Sequence, residues 1–139
     1  MKVVLDTNIL ISYGLGNLDV IKIMDYLVKS GSQIFTDSRL LHEYQTIINK
    51  SKFGFSKEII ERLNYWIDSN ISIIDIPRNS IKFNPDRQDS KIIEIANQTK
   101  SEFIITDDKP LLKNSSHLCI AKPVSSKMFI EIIFSQHAD

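Results

Sequence analysis

The sequence lacks most of the features that assign a protein quickly. It has one cysteine, Cys119, which excludes an intrachain disulfide and a cysteine-based zinc cage. Such a chain suits a reducing cytoplasm. It has no excess of either charge: Lys and Arg total 17, as do Asp and Glu. The overall basic signature of a nucleic-acid-binding domain is therefore missing, although local patches matter more than the sum. No apolar run approaches the roughly 18 residues of a membrane span. Asp6 interrupts the N-terminal apolar run before it reaches the length of a signal peptide's core. A soluble, unexported, cytoplasmic protein is expected, with no membrane partner. Repeats, low-complexity tracts and interior linkers are also missing. The 139 residues thus read as a single domain, 1–139, with one sizeable core.

What is present begins with Val3-Val4-Leu5-Asp6-Thr7-Asn8. A short apolar run that ends in an acid suits a strand buried on both faces of a parallel sheet. The apolar character continues through Ile9-Leu10-Ile11, and Gly14 and Gly16 then read as a loop. Asn17 caps a predicted helix with Leu18, Ile21, Met24, Leu27 and Val28 at helical spacing, stopped by Gly31. Gln33–Thr36 is a strand candidate. Asp37 or Ser38 caps the next helix, whose apolar stripe is Leu40, Leu41, Tyr44, Ile47 and Ile48; Glu43 falls at the edge of that stripe. Lys50–Ser56 reads as a loop, Ser56–Ser69 as a helix and Ile71–Ile76 as a strand. Pro77–Gln88 reads as a loop, Asp89 opens a helix, and Glu102–Thr106 is a buried strand. Lys109–Leu112 is a helical turn, Leu118–Ala121 a last strand, and Ser125 or Ser126 caps a C-terminal helix to about Phe134. Strands alternating with helices predict an α/β fold, a parallel sheet covered on both faces.

Two strands end in the same chemistry, Leu5-Asp6-Thr7 and Ile105-Thr106-Asp107-Asp108. If they are neighbours where the strand order reverses, Asp6 and Asp108 face one crevice. Asp89 and Glu43 can reach it from their helices. Four crowded carboxylates repel unless a cation neutralises them, and a hard, oxygen-preferring ion such as Mg²⁺ or Mn²⁺ is the natural partner. One or two such ions allow metal-assisted phosphodiester hydrolysis. Each acid also has a plainer reading: Asp6, Asp107 and Asp108 as turn residues, Asp89 as a helix cap, Glu43 as the partner of Arg39 one turn earlier. The order and setting of all four carry the signal.

That arrangement resembles the PIN domain, a ribonuclease fold common among toxins of toxin–antitoxin pairs. The matching segments are Val4–Asn8, Leu40–Tyr44, Asp89–Ala96 and Ile104–Leu112. The resemblance implies a three-layer sandwich with a mainly parallel sheet of about five strands between helices. It places the metal-site acids at Asp6, Glu43, Asp89 and Asp108, with Asn8 and Thr106 in support. It also implies a metal-dependent endoribonuclease that cuts single-stranded or loop RNA, a small antitoxin partner and a homodimer. Two features depart from the family pattern. Asp86 lies in the loop where relatives cluster acids against the position of Asp89, and position 107 is acidic; the helix register favours Asp89, and the spacing from Thr106 favours Asp108.

Arg39, Lys50, Lys52, Arg87 and Lys109 lie near these segments and are candidates for RNA phosphates. Phe53, Phe55 and Tyr13 are candidates for base stacking or for packing. His42 is expected at the surface, Trp66 and Cys119 in the core. A PIN-like RNA-binding or scaffold module with little catalysis is the alternative function. A phosphoacceptor receiver-like domain fits less well, because Asp6 lacks an adjacent acid.

Overall fold

The computed structural model describes residues 1–77, 90–114 and 120–135. Five strands form one all-parallel sheet: β1 (Lys2–Leu5), β2 (Gln33–Thr36), β3 (Ile71–Ile73), β4 (Phe103–Ile105) and β5 (Lys122–Val124), in the order β3-β2-β1-β4-β5. The helices are α1 (Thr7–Gly14), α2 (Leu18–Lys29), α3 (Ser38–Ile48), α4 (Lys57–Asn70), α5 (Ser90–Thr99), α6 (Lys109–Asn114) and α7 (Ser126–Ser135). They flank the sheet in the three-layer arrangement expected of the chain. The sheet grows in one direction through β2 and β3 and in the other through β4 and β5, so the order reverses between β1 and β4. Val3, Val4 and Leu5 pair with Phe103, Ile104 and Ile105. Val3, Val4, Leu5, Ile104 and Ile105 are completely buried, as a central pair of parallel strands covered on both faces requires.

The caps lie where short polar side chains precede apolar stripes. Asn17, Asp37 and Ser56 each accept a backbone N–H three residues on and start α2, α3 and α4. Ser125 does the same for α7. On one side of the molecule α2 and α7 pack together, with Phe129 of α7 edge-on to both Tyr26 and Phe103. α5 packs on β1, β2 and β4 and also meets α3.

Four local expectations need correction. The residues after Asn8 are not merely an apolar run into a loop; they form α1, with Thr7, Ile9, Leu10 and Ile11 all buried. Gly14 belongs to that helix, and a Cβ there would lie 2.8 Å from Cζ of Phe55, so close packing rather than backbone freedom explains it. Gly16 makes the turn, at φ +83°. β3 ends at Ile73 rather than Ile76: it is an edge strand, and beyond it Ile74 N–H bonds back to Thr36. The last strand is Lys122–Val124, not Leu118–Ala121; Leu118 and Cys119 lie outside the described residues, and Ile120 is exposed. Pro123 is tolerated because β5 is an edge strand and one N–H can be missing. Trp66 is half-buried rather than fully core, edge-on to Tyr13.

Tyr44 connects this frame to the sheet. It is fully buried in α3, and its hydroxyl donates to the Leu5 carbonyl at the end of β1. Removing that donor leaves a carbonyl without its partner inside the core. Tyr44→Phe is expected to lower stability by about 1–2 kcal/mol, measured as a reduced urea midpoint at unchanged slope.

Candidate active site

Asp6 stands where β1 becomes α1. Its backbone N–H donates to Ile105 O at 3.0 Å, extending the β1–β4 ladder by one rung. Its side chain caps α1, with Oδ1 accepting from Thr7 N at 2.8 Å. The other oxygen, Oδ2, accepts from Thr106 Oγ1 at 2.7 Å and from Asn8 Nδ2 at 3.2 Å. Thr106 is completely buried, and its hydroxyl also accepts from Asp108 N at 3.0 Å. Asn8 Oδ1 accepts from Asp107 N at 3.1 Å. The two strand ends are therefore stitched together by the residues expected to support the site, Asn8 and Thr106.

The same contacts divide the work of the two neighbouring acids. Asp107 turns to α7, where its carboxylate accepts from both the backbone N–H and the hydroxyl of Ser126. Asp108 lines a cleft of about 240 Å³ together with Asp6, Thr7, Asn8, Glu43 and Lys91. Asp108 Oδ2 accepts from Leu111 N at 3.2 Å, so its orientation is set by the start of α6.

Glu43 enters from the flank of α3. Thr7 Oγ1 donates to its Oε2, and Lys91 Nζ lies 2.7 Å from its Oε1. The plainer reading of Glu43, a pairing with Arg39, does not hold. Arg39 instead bridges the buried acids Asp37, at 2.7 Å, and Glu94, at 2.9 Å. That bridge ties the start of α3 to α5 through a side chain that remains 39% exposed.

Asp89 and Asp86 lie outside the described residues, as does Arg87; α5 begins at Ser90, immediately after Asp89. Lys50, Lys52 and Lys109 are exposed, and Lys52 sits over the ring of Phe53. Phe53 and Phe55 stack on each other and pack partly against the core, as Tyr13 does with Trp66. His42 is at the surface. Lys91 is a residue of the cleft that had no assigned role in the sequence. A signal for Lys91 was available. A cation in the first turn of a helix opposes the helix dipole; such a lysine points to a nearby anion.

Burial raises the Asp6 pKa above its ordinary value; the Thr106 and Thr7 hydrogen bonds oppose the shift, and the charges of Glu43 and Asp108 add to it. An anion in this setting favours a cation. Among the described residues, no three His, Cys, Asp or Glu side chains are grouped tightly enough to hold a metal ion unaided. Mg²⁺ keeps several waters and takes one or two carboxylates. The donors fit such an ion: hard carboxylate oxygens of Asp6 and Asp108 on one cleft. A larger cavity of about 810 Å³ lies elsewhere, between Tyr13, Ile21, Leu63 and Trp66, and none of Asp6, Glu43 and Asp108 lines it. The smaller cleft holds the perturbed acid and is the candidate site.

A folded-state pKa above the unfolded one means that Asp6 stabilises the fold at low pH and loses that contribution as pH rises through its folded value. Asp6→Asn keeps a side chain that can cap α1 and removes the buried charge. In chelator, the variant is expected to melt a few degrees above the native protein at neutral pH. The gap should close near pH 3, below the ordinary carboxylate range of about 4; thermal melts across pH read it directly.

No curated protein matches the chain in sequence. A solved structure described as VapBC2 from Rickettsia felis bound to a DNA fragment from their promoter superposes with a TM-score of 0.60 and 19% identity, over 90% of this chain and 98% of that one. At that identity the likeness is one of fold. The PIN domain family matches in sequence over residues 2–110, which takes in both strand ends, α3 and α5. The strand-order reversal, the acids at its edge and this match agree: the chain belongs to the PIN domain family.

Proposed function

We propose that the protein is a metal-dependent endoribonuclease that hydrolyses phosphodiester bonds of single-stranded or loop RNA, acting as the toxin of a toxin–antitoxin pair in the cytoplasm. The observation that carries the reading is the meeting of Asp6, Glu43 and Asp108 on one cleft at the carboxyl edge of β1 and β4. Membership of a family whose members are generally nucleases supports the reaction class. The likeness of fold to the VapBC2 structure supports a small antitoxin partner, and the family resemblance a homodimer. No helix among the described residues is long and apolar enough to cross a membrane.

Asp6 and Asp108 are the residues to hold Mg²⁺ or Mn²⁺, with Asp89 as the further acid that the sequence pattern supplies. When bound, the ion would polarise the phosphate, activate water and offset developing charge on the leaving oxygen. The chain's own part is orientation. Thr106 and Asn8 hold Asp6 Oδ2 in one position, so the carboxylate meets a ligand without reorganising. Glu43, half-buried on the opposite wall, stands to accept a proton from the attacking water. Leu40, Ile47 and Leu111 line the same cleft and limit the water that reaches it. The exposed Lys109, next to Asp108, offers a charge to a flanking phosphate.

With single-stranded RNA and Mn²⁺, Asp6→Asn and Asp108→Asn are each expected to lower the cleavage rate by more than about 100-fold. Thr106→Val acts through Asp6 and is expected to lower it by about 10–100-fold. Full metal-dependent cleavage by a folded Asp6→Asn protein would overturn the proposal. Millimolar Mn²⁺ should also raise the melting temperature of the native protein by mass action, and raise that of Asp6→Asn far less.

A further inference from the structure

Lys91 stands in the cleft as a fixed cation. Its Nζ is 2.7 Å from Glu43 Oε1, while the other oxygen of Glu43 accepts from Thr7 Oγ1. Both oxygens of the Glu43 carboxylate are therefore engaged on the α3 side of a cleft whose other wall carries Asp6 and Asp108. The pair is partly withdrawn from water, with side chains 23% and 28% exposed. Its placement opposes the dipole at the start of α5, so the attraction to Glu43 offsets an unfavourable position. The helices that present the two charges are held together by the Arg39 bridge to Asp37 and Glu94, which leaves the pair little freedom to part.

We infer that Lys91 occupies, by charge and position, the place of a second divalent ion, so that the site takes a single metal ion beside Asp6 and Asp108. A second ion would have to displace the ammonium from Glu43 and then face it at close range. Glu43 accordingly acts on water and not as a ligand. The inference rests on the proposed metal-dependent reading of this cleft.

The test counts bound Mn²⁺ on the full chain, by titration calorimetry and by loss of the free-ion electron paramagnetic resonance signal. The native protein and K91R are expected to bind one ion per chain, K91M to bind two, and the double variant E43Q/K91M to return to one. Two ions on the native protein, one ion on folded K91M, or two on K91R would overturn the inference while leaving the metal site standing. Absence of Mn²⁺ binding by the folded native protein would overturn both the inference and the metal-dependent reading beneath it.

Discussion

The rung between Asp6 N–H and Ile105 O is the contact on which the rest depends. It is the last bond of the β1–β4 ladder, and among the described strands it forms at the seam where connections leave in opposite directions. The chain from β1 turns into α1 and leads toward β2, whereas the chain from β4 turns into α6 and leads toward β5. Two strand ends are thereby left side by side. Polar residues there meet one another rather than a covering helix. Thr106 and Asn8 use this space to bind the Asp6 carboxylate, and the cleft opens where those bonds end.

The cleft sets two demands against each other. Asp6 must be positioned, which its caps and hydrogen bonds achieve, yet the same burial makes its charge unfavourable, and Glu43 and Asp108 make it more so. A surface aspartate would carry less penalty but would also be free to rotate. Folding energy is thus given up at the site in exchange for a ready-made anion. The apolar frame around it, with Val3, Val4 and Leu5 of β1, Ile104 and Ile105 of β4, and Tyr44 fully buried, is what sustains that cost.

Much of this was legible in the sequence, for reasons that differ by residue. Asp6 and Asp108 were visible because each ends an apolar strand, a local pattern. Glu43 was visible because it sits at the edge of an amphipathic stripe, and Asn8 and Thr106 through the family resemblance. α1 was hidden: Thr7, Ile9, Leu10 and Ile11 are buried together, so the helix shows no polar face and no period. β5 was hidden by Pro123, which argues against a strand unless the strand lies at an edge. Ion pairing was the least legible. Arg39 chose Asp37 and Glu94 over the nearby Glu43 because α3 and α5 pack together, a contact that spans 55 residues of sequence.

The site therefore has two halves held by different means. Asp6, Asn8, Thr106 and Asp108 belong to the sheet edge, joined by short hydrogen bonds over the central ladder. Glu43 and Lys91 belong to helices and depend on how α3 and α5 are clamped. The first half is stiff because parallel strands buried on both faces cannot shift singly without breaking register. The second can be tuned by substitutions at the helix contact that never touch the cleft, through Arg39, Glu94 or the Tyr44 bond to Leu5. Such a division lets the ligand-holding wall stay constant while the opposing wall, which faces the attacking water and the substrate, varies with helix packing.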